Sequence, residues 1–215
     1  MHLKRQKIPK NWPIPRKGTA YVVRPNFNIK NGIPILIIIR DILKLAQNKK
    51  EVKKAIHSKN ILINNKIVRD EKNSALLFDI ISIPPLKKHY KVELSEKGKF
   101  QAKEIKETES INKISKIINK KTLKGKKTQL NLSDGKNFIS DIKCNVNDSV
   151  LINLKSKKIE KCLPLKEKAK VIVIGGKHIG EIGIINNINI ERKITELTIE
   201  KKPVNVLIKQ LMVTE

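Results

Sequence analysis

Three observations predict an α+β chain built from several small domains. A short stretch with helical spacing lies near the start. It is followed along the rest of the chain by brief alternating apolar runs that end in Asn-Asn, Asp-Gly or glycine-rich turns. The length of 215 residues allows one or two ordinary domains or three small modules. Hydrophobic residues make up 39% of the chain but aromatics only 3%, so the cores must be filled by Ile, Leu and Val. This composition excludes collagen-like, mucin-like and disulfide-scaffold classes. With 47 Lys plus Arg against 20 Asp plus Glu, the formal net charge is +27. Such a charge opposes compaction and asks for a polyanionic partner.

Residues 1–33 read as a basic N-terminal extension. Pro9, Pro13, Pro15 and Pro25 prevent a continuous helix, and no acid accompanies Lys4, Arg5, Lys10, Arg16, Lys17 and Arg24. An extended arm of this kind orders against phosphate, the other reading being a solubilising tail. Trp12, Tyr21 and Phe27 favour the binding arm, because three of the chain's seven aromatics fall here. Residues 34–86 begin at Pro34, which suits a first helical turn, and the apolar spacing carries helix one to about Ala46. Asn48 with Glu51 three residues later forms a capping box and opens a second helix through about Lys59. Its core stripe is Val52, Ala55 and Ile56. Lys50, Lys53, Lys54 and His57 share the opposite face, which reads as a phosphate-binding surface or as a solvated lysine face. Ile61-Leu62-Ile63, Asn64-Asn65 and Lys66 to Arg69 form a hairpin, since Asn tolerates the positive φ of a two-residue turn. One further strand is expected over Leu76–Ile83.

Pro84-Pro85 is taken to separate this module from a central β-domain at residues 87–166, which opens with the alternating strand Tyr90, Val92 and Leu94. Ile111 to Leu123 fits a helix by its isoleucine spacing and a strand by its β-branched content, and strand is preferred. Gln129–Leu132 leads through Ser133-Asp134-Gly135 into Lys136–Ile139, a strong hairpin signal. Strands follow at Val150–Leu154 and Lys158–Leu163. Residues 167–215 hold Val171–Ile174, the loop Gly175-Gly176-Lys177-His178-Ile179-Gly180, then Glu181–Ile185. Ile194–Ile199 and Val204–Val213 are expected to close a small β-barrel, with Lys177 and His178 projecting from the loop tip.

Catalytic patterns are missing. Glu181 occupies the position where a phosphate loop needs lysine, and no Ser or Thr follows to hold magnesium. The four His residues are isolated from one another and from Cys144 and Cys162, so neither a metal nor a cofactor is expected, and the two cysteines read as reduced structural thiols. The most apolar stretch, Ile33 to Ile39, ends at Arg40 and Asp41, far short of the ~20 residues a spanning helix needs. Met1 to Arg24 does not read as a secretory signal, so a cytoplasmic location is expected. Too few aromatics are present for sequential base stacking, and structured RNA read through phosphates and shape fits better.

The two helices followed by the Ile61–Arg69 hairpin and Phe78-Asp79-Ile80-Ile81 resemble the alpha-L RNA-binding module. That resemblance adds Arg40, Lys66 and Arg69 to the expected RNA-contacting residues. The strand, glycine loop and strand near Gly175–Gly180 resemble a KOW motif in an SH3-like barrel. In order, the opening His2-Leu3-Lys4-Arg5 with Pro9 to Gly18, the alpha-L module, Gln129 to Lys136 and the terminal loop resemble one family over nearly the whole chain. It is small-subunit ribosomal protein four of the archaeal and eukaryotic kind. The resemblance implies a structural constituent of the small ribosomal subunit with no catalytic residues and no small-molecule substrate. Its partners would be small-subunit rRNA and neighbouring ribosomal proteins. The alternative is a non-ribosomal RNA-binding regulator, either a KOW-type transcription factor or a ribosome-associated factor. Membrane-surface binding is disfavoured, because the basic helix buries its apolar stripe and offers no aromatic anchor. The chain departs from the family after Pro25, where Asn26-Phe27-Asn28-Ile29 replaces the usual Pro-Gly-Pro-His.

The charge generates a prediction. Affinity of the purified protein for small-subunit rRNA should fall steeply between low and moderate salt through counterion release. A flat salt titration would refute phosphate-dominated binding.

Overall fold

The computed structural model describes residues 2–140, 142–200 and 202–214. The chain forms two compact units, one from Met1–Ser95 with Lys99–Ile111 and the other from Glu96–Gly98 with Asn112–Glu215. The architecture is mostly β, with two short helices.

In the first unit the N-terminal extension is folded. β1 (Leu3–Lys4) pairs antiparallel with β2 (Tyr21–Val22). Trp12 is 2% exposed and its indole Nε1 donates to Gly32 O at 3.0 Å. The basic extension is therefore ordered on the unit itself, whereas its sequence predicts ordering against phosphate. A tryptophan and Leu3 supply enough apolar surface to dock the segment onto the unit, and burial of one such ring contributes on the order of 2–3 kcal/mol. β3 (Ile33–Pro34) leads into α1 (Ile35–Ile37), which continues as a π-helical turn over Ile38–Ile42. The helix thus ends well before Ala46, with Lys44 at φ 54°. Burial explains the early stop. Ile35 to Ile39 are all core, while Ile42 and Leu43 are half-buried and Leu45 exposed, so the apolar spacing beyond Ile39 is only partly covered.

α2 (Lys49–His57) is built as its sequence dictates. Glu51 N donates to Asn48 Oδ1 at 3.1 Å, and Glu51 Oε2 accepts Gln47 N at 2.7 Å. The helix closes with Lys59 at φ 57°, where Asn60 N reaches Ala55 O and Lys59 N reaches Ile56 O, a Schellman ending. β4 (Leu62–Ile63) and β5 (Lys66–Ile67) form the expected hairpin, with Asn64 at φ 50° and Asn65 at φ 60°. β6 (Ser74–Ala75) pairs with β3, and β7 covers only Ile80–Ile83. Leu76–Asp79 is a turn instead of strand, because Phe78 adopts φ 61° and the Asp79 carboxylate accepts Leu76 N at 2.7 Å.

The Pro84-Pro85 step does not interrupt the sheet. It forms a helical turn at Pro84–Leu86, after which β8 (Lys88–Leu94) pairs back on β7, with Ile83 opposite Lys88. β9 (Phe100–Ile105) then adds an edge, giving the order β5-β4-β7-β8-β9. The boundary expected between residues 86 and 87 falls inside this hairpin.

In the second unit, the ambiguous isoleucine stretch is strand β10 (Asn112–Thr122). β11 (Thr128–Leu132), β12 (Asn137–Ile139), β13 (Ser149–Asn153) and β14 (Lys158–Leu163) complete a sheet of order β12-β11-β10-β13-β14. Gly135 at φ 80° supplies the turn that the Asp-Gly step announces. Asp134 in that turn is buried against Lys113, itself 1% exposed, at 2.6 Å. Burial alone would raise the Asp134 carboxyl. The Lys113 charge and hydrogen bond, helped by the Lys136 N–H and ammonium, hold it below its ordinary value. Cys144 and Cys162 are free thiols at this sheet's core. Burial, with the neighbouring Cys144 and Asp148, pushes the Cys162 thiol up to about 12.

The last sheet runs β18-β17-β16-β15-β19, from β15 (Lys170–Val173), β16 (Ile182–Asn189), β17 (Ile194–Ile199), β18 (Lys202–Leu207) and β19 (Leu211–Val213). The single closing strand expected over Val204–Val213 is two strands on opposite edges, joined by a turn at Ile208–Gln210. A flat sheet would hold those edges about 19 Å apart at ~4.8 Å per strand. A 3₁₀ turn rises only about 2 Å per residue, so the sheet must curl round on itself.

Asp134→Asn should destabilise the second unit by about 1.5–3 kcal/mol, since it replaces the charged hydrogen bond to the buried Lys113 ammonium with a neutral one. Because the folded carboxyl sits below the unfolded value of 3.8, the pair's contribution is present above that pH and lost as pH falls through the lower folded value. Denaturant unfolding of wild type and variant at pH 7 and in acid measures both effects. Equal stabilities at pH 7 would refute this role.

Candidate nucleic-acid interface

Three cationic surfaces lie on this framework. The first is a groove of about 1070 Å³ in the first unit, walled by the N-terminal segment and Lys99. Its cations are Lys4, Arg5, Lys10, Arg16, Lys17 and Lys99, and no carboxylate lines it. All but Arg5 are exposed. Arg5 does different work: its guanidinium donates to Pro15 O at 2.7 Å, Thr19 O at 2.7 Å and Thr19 Oγ1 at 2.8 Å, so it braces the wall. Arg5 and the buried Trp12 thus both support the groove that they line. Arg24 is half-buried and does not line it. The departing stretch after Pro25 is clipped to a neighbouring loop, where Asn26 N donates to Lys72 O at 3.0 Å.

The second surface is the outer face of α2. Lys50, Lys53, Lys54 and His57 are all exposed, while Val52 and Ile56 are buried beneath. Lys49 joins them. An acid does meet this face: Glu71, 4% exposed, lies 2.7 Å from Lys49 Nζ and 3.7 Å from Lys53 Nζ. Sequence spacing on the helix could not reveal Glu71, which arrives from the loop before β6. Lys66 and Arg69 are exposed on and just after β5. Arg40 is not a free cation. Its guanidinium forks onto Asp41, with Nε at 3.1 Å and Nη2 at 2.9 Å, and that hydrogen bond, against opposing desolvation, raises its pKa. The adjacency of Arg40 and Asp41 was the signal available in the sequence.

The third surface belongs to the second unit. Gly176 and Gly180 both take φ 92° in the loop between β15 and β16. At Gly176 the positive φ is what requires glycine, since an added Cβ would meet only the flexible end of the Gln210 side chain. Lys177 is exposed at the tip. His178 does not project beside it but folds back, with Nδ1 2.9 Å from Glu181 Oε2. Glu181 thus serves the loop's own geometry. Among the described residues no group of three or more His, Cys, Asp or Glu is placed to hold a metal.

Comparison with known proteins places this arrangement in a family. Two family models match: the RS4NT (NUC023) domain over residues 1–27, which wall the groove, and the Ribosomal family S4e over residues 86–159. The small ribosomal subunit protein eS4 of Methanothermobacter thermautotrophicus is 39% identical over 194 residues, covering 89% of this chain and 80% of the relative. The chain belongs to the eS4 family. The eS4 proteins of Methanocella arvoryzae and Archaeoglobus fulgidus are each 37% identical, over 89% of this chain and 82% of theirs. The eS4 fold is also seen in the crystal structure of 30S ribosomal protein S4e from Thermoplasma acidophilum. It matches with a TM-score of 0.74 at 22% identity, over 86% of this chain and 95% of that one.

The lysine face of α2 can be tested directly. Replacing Lys50, Lys53 and Lys54 with Gln should leave the thermal transition almost unmoved, since none packs in the core and the Glu71 contact keeps Lys49. RNA affinity should drop for every RNA sequence tried, with a shallower salt slope. A folded triple variant with unchanged affinity would assign this face to solvent.

Proposed function

We infer that the chain is a structural constituent of the small ribosomal subunit, binding and stabilising small-subunit rRNA among neighbouring ribosomal proteins and so acting in translation at the ribosome. The observation that carries this reading is 39% identity to a small ribosomal subunit protein over 89% of the chain. Physical chemistry supports it. The net charge of +27 is displayed as separated basic surfaces on small folded units, which suits RNA read through phosphates, 2′-hydroxyls and shape. No reaction is assigned to the protein.

In finer detail, residues 34–86 act as an alpha-L RNA-binding module through the α2 lysines, Lys66 and Arg69. The curled C-terminal sheet acts as a KOW barrel that docks by the Gly175–Gly180 loop, with Lys177 as its contact. Residues 1–33 form a basic extension whose exposed cations, Lys4, Lys10, Arg16 and Lys17, meet phosphate. The rival reading, an RNA-binding regulator that visits the ribosome or the transcription machinery, shares these surfaces but predicts reversible association.

A high-salt wash separates the two. A tagged copy expressed in an archaeal host should remain stoichiometric with purified small subunits through the wash. Loss of the protein into the wash at a salt concentration that retains other small-subunit proteins would favour the regulator.

A further inference from the structure

We propose that the N-terminal groove holds a single unpaired nucleotide of its RNA, the base against Tyr21 and the adjoining phosphates against the groove's cations. The inference rests on the RNA-binding reading above and goes beyond it by specifying what conformation of RNA the groove takes.

Tyr21 lines the groove and is 56% exposed, unusual for a ring in a chain that has only 3% aromatics for its cores. Its ring partner is His2, with centroids 5.2 Å apart and planes tilted by 49°, a pairing that leaves most of Tyr21 accessible. Lys4 lies directly opposite Tyr21 in the β1–β2 register, so a cation flanks the ring. Arg16, Lys17, Lys10 and Lys99 continue the positive lining with no carboxylate among them.

The site is also organised in advance. Arg5 fixes Pro15 and Thr19, which bracket Arg16 and Lys17 and lead into Tyr21. The Trp12 indole, anchored to Gly32, forms part of the lining. Binding therefore requires little new ordering of the wall. At about 1070 Å³ the groove lies just above the ~300–1,000 Å³ range of small-molecule sites, so it has room for one nucleotide and its flanking backbone.

The chemistry favours an unpaired base over a duplex. An A-form helix presents phosphates and 2′-hydroxyls, but its base faces are stacked inside and cannot cover a ring. A bulged or looped-out nucleotide offers both a phosphate track and a free π-face. Phe27, the other exposed aromatic of this segment, does not line the groove, so the arrangement accepts one base and not a row of them.

The test uses the full chain and two RNA duplexes of the same length, one perfectly paired and one carrying a single bulged uridine. Wild type should bind the bulged RNA roughly five- to a hundredfold more tightly, the affinity equivalent of one base–aromatic stack. Tyr21→Ala should abolish that preference and Tyr21→Phe should keep it. Tyr21→Leu, which retains an apolar side chain on β2, should lose it with the same thermal transition as wild type. Lys10→Gln with Arg16→Gln and Lys17→Gln should weaken both RNAs alike. With 5-iodouridine at the bulge, irradiation should crosslink the base to the peptide containing Tyr21. Equal wild-type affinity for the two RNAs, a preference that survives in Tyr21→Leu, or crosslinks confined to other peptides would overturn this inference alone. Binding to neither RNA would overturn the RNA-binding reading with it.

Discussion

The scarce residue in this chain is the carboxylate, and the fold depends on where the carboxylates are placed. An excess of 27 positive charges resists compaction. A few acids are drawn inward, where each satisfies more than one donor. Asp134 holds the fully buried Lys113 and caps the Asp-Gly turn through Lys136 N at 3.1 Å. Asp79 accepts both Leu76 N and Asn64 Nδ2, binding the β4–β5 hairpin to the turn before β7. Asp148 accepts Asn145 N at 2.8 Å and Leu165 N at 2.9 Å, closing both ends of the β13–β14 region. In a medium of lower dielectric these hydrogen bonds to charged groups are each worth about 1.5–3 kcal/mol, more than the same acids would contribute on the surface.

The same placement produces the functional surface. An acid used inside the fold, or paired with an adjacent cation as Asp41 is with Arg40, cannot neutralise the exposed lysines. The groove of the first unit and most of the α2 face are left as exposed cations. Glu71 is the exception that orders instead of neutralising. Nearly inaccessible itself, it meets Lys49 and Lys53 while both side chains remain about half exposed, so the lysines are oriented and still available.

Lys116 shows the reverse case, a cation drawn inward. Its ammonium donates to Ile208 O at 2.6 Å and Leu211 O at 2.7 Å, and Ser149, directly opposite in the β10–β13 register, accepts Val213 N at 3.0 Å. Two paired residues of one sheet thereby fix the turn and final strand of the other. Burial pushes Lys116 down to about 8, while the two carbonyl oxygens hold its ammonium in place.

Local signals in the sequence were sufficient for several caps and tight turns that are closed by residues near one another in the chain, although the Leu76–Asp79 turn was not among them. The Asn48–Glu51 capping box, the Asn64-Asn65 turn and the Asp134-Gly135 hairpin appear at the residues that announce them, because caps and tight turns are satisfied within a few positions. The net charge and the lysine stripe of α2 were equally legible. Tertiary structure decided which cations are free. Arg5, Arg40 and His178 look like their neighbours in the sequence, yet each is engaged by a group that the fold or an adjacent acid presents. Trp12 is a floor and not a contact, and helix one ends where its covering ends, not where its apolar spacing ends. A side chain's chemistry can be read from its residue type. Its availability depends on what lies within about 3 Å of it, and for Glu71 and Lys53, or Arg5 and Thr19, that distance is set only when segments far apart in the chain are brought together.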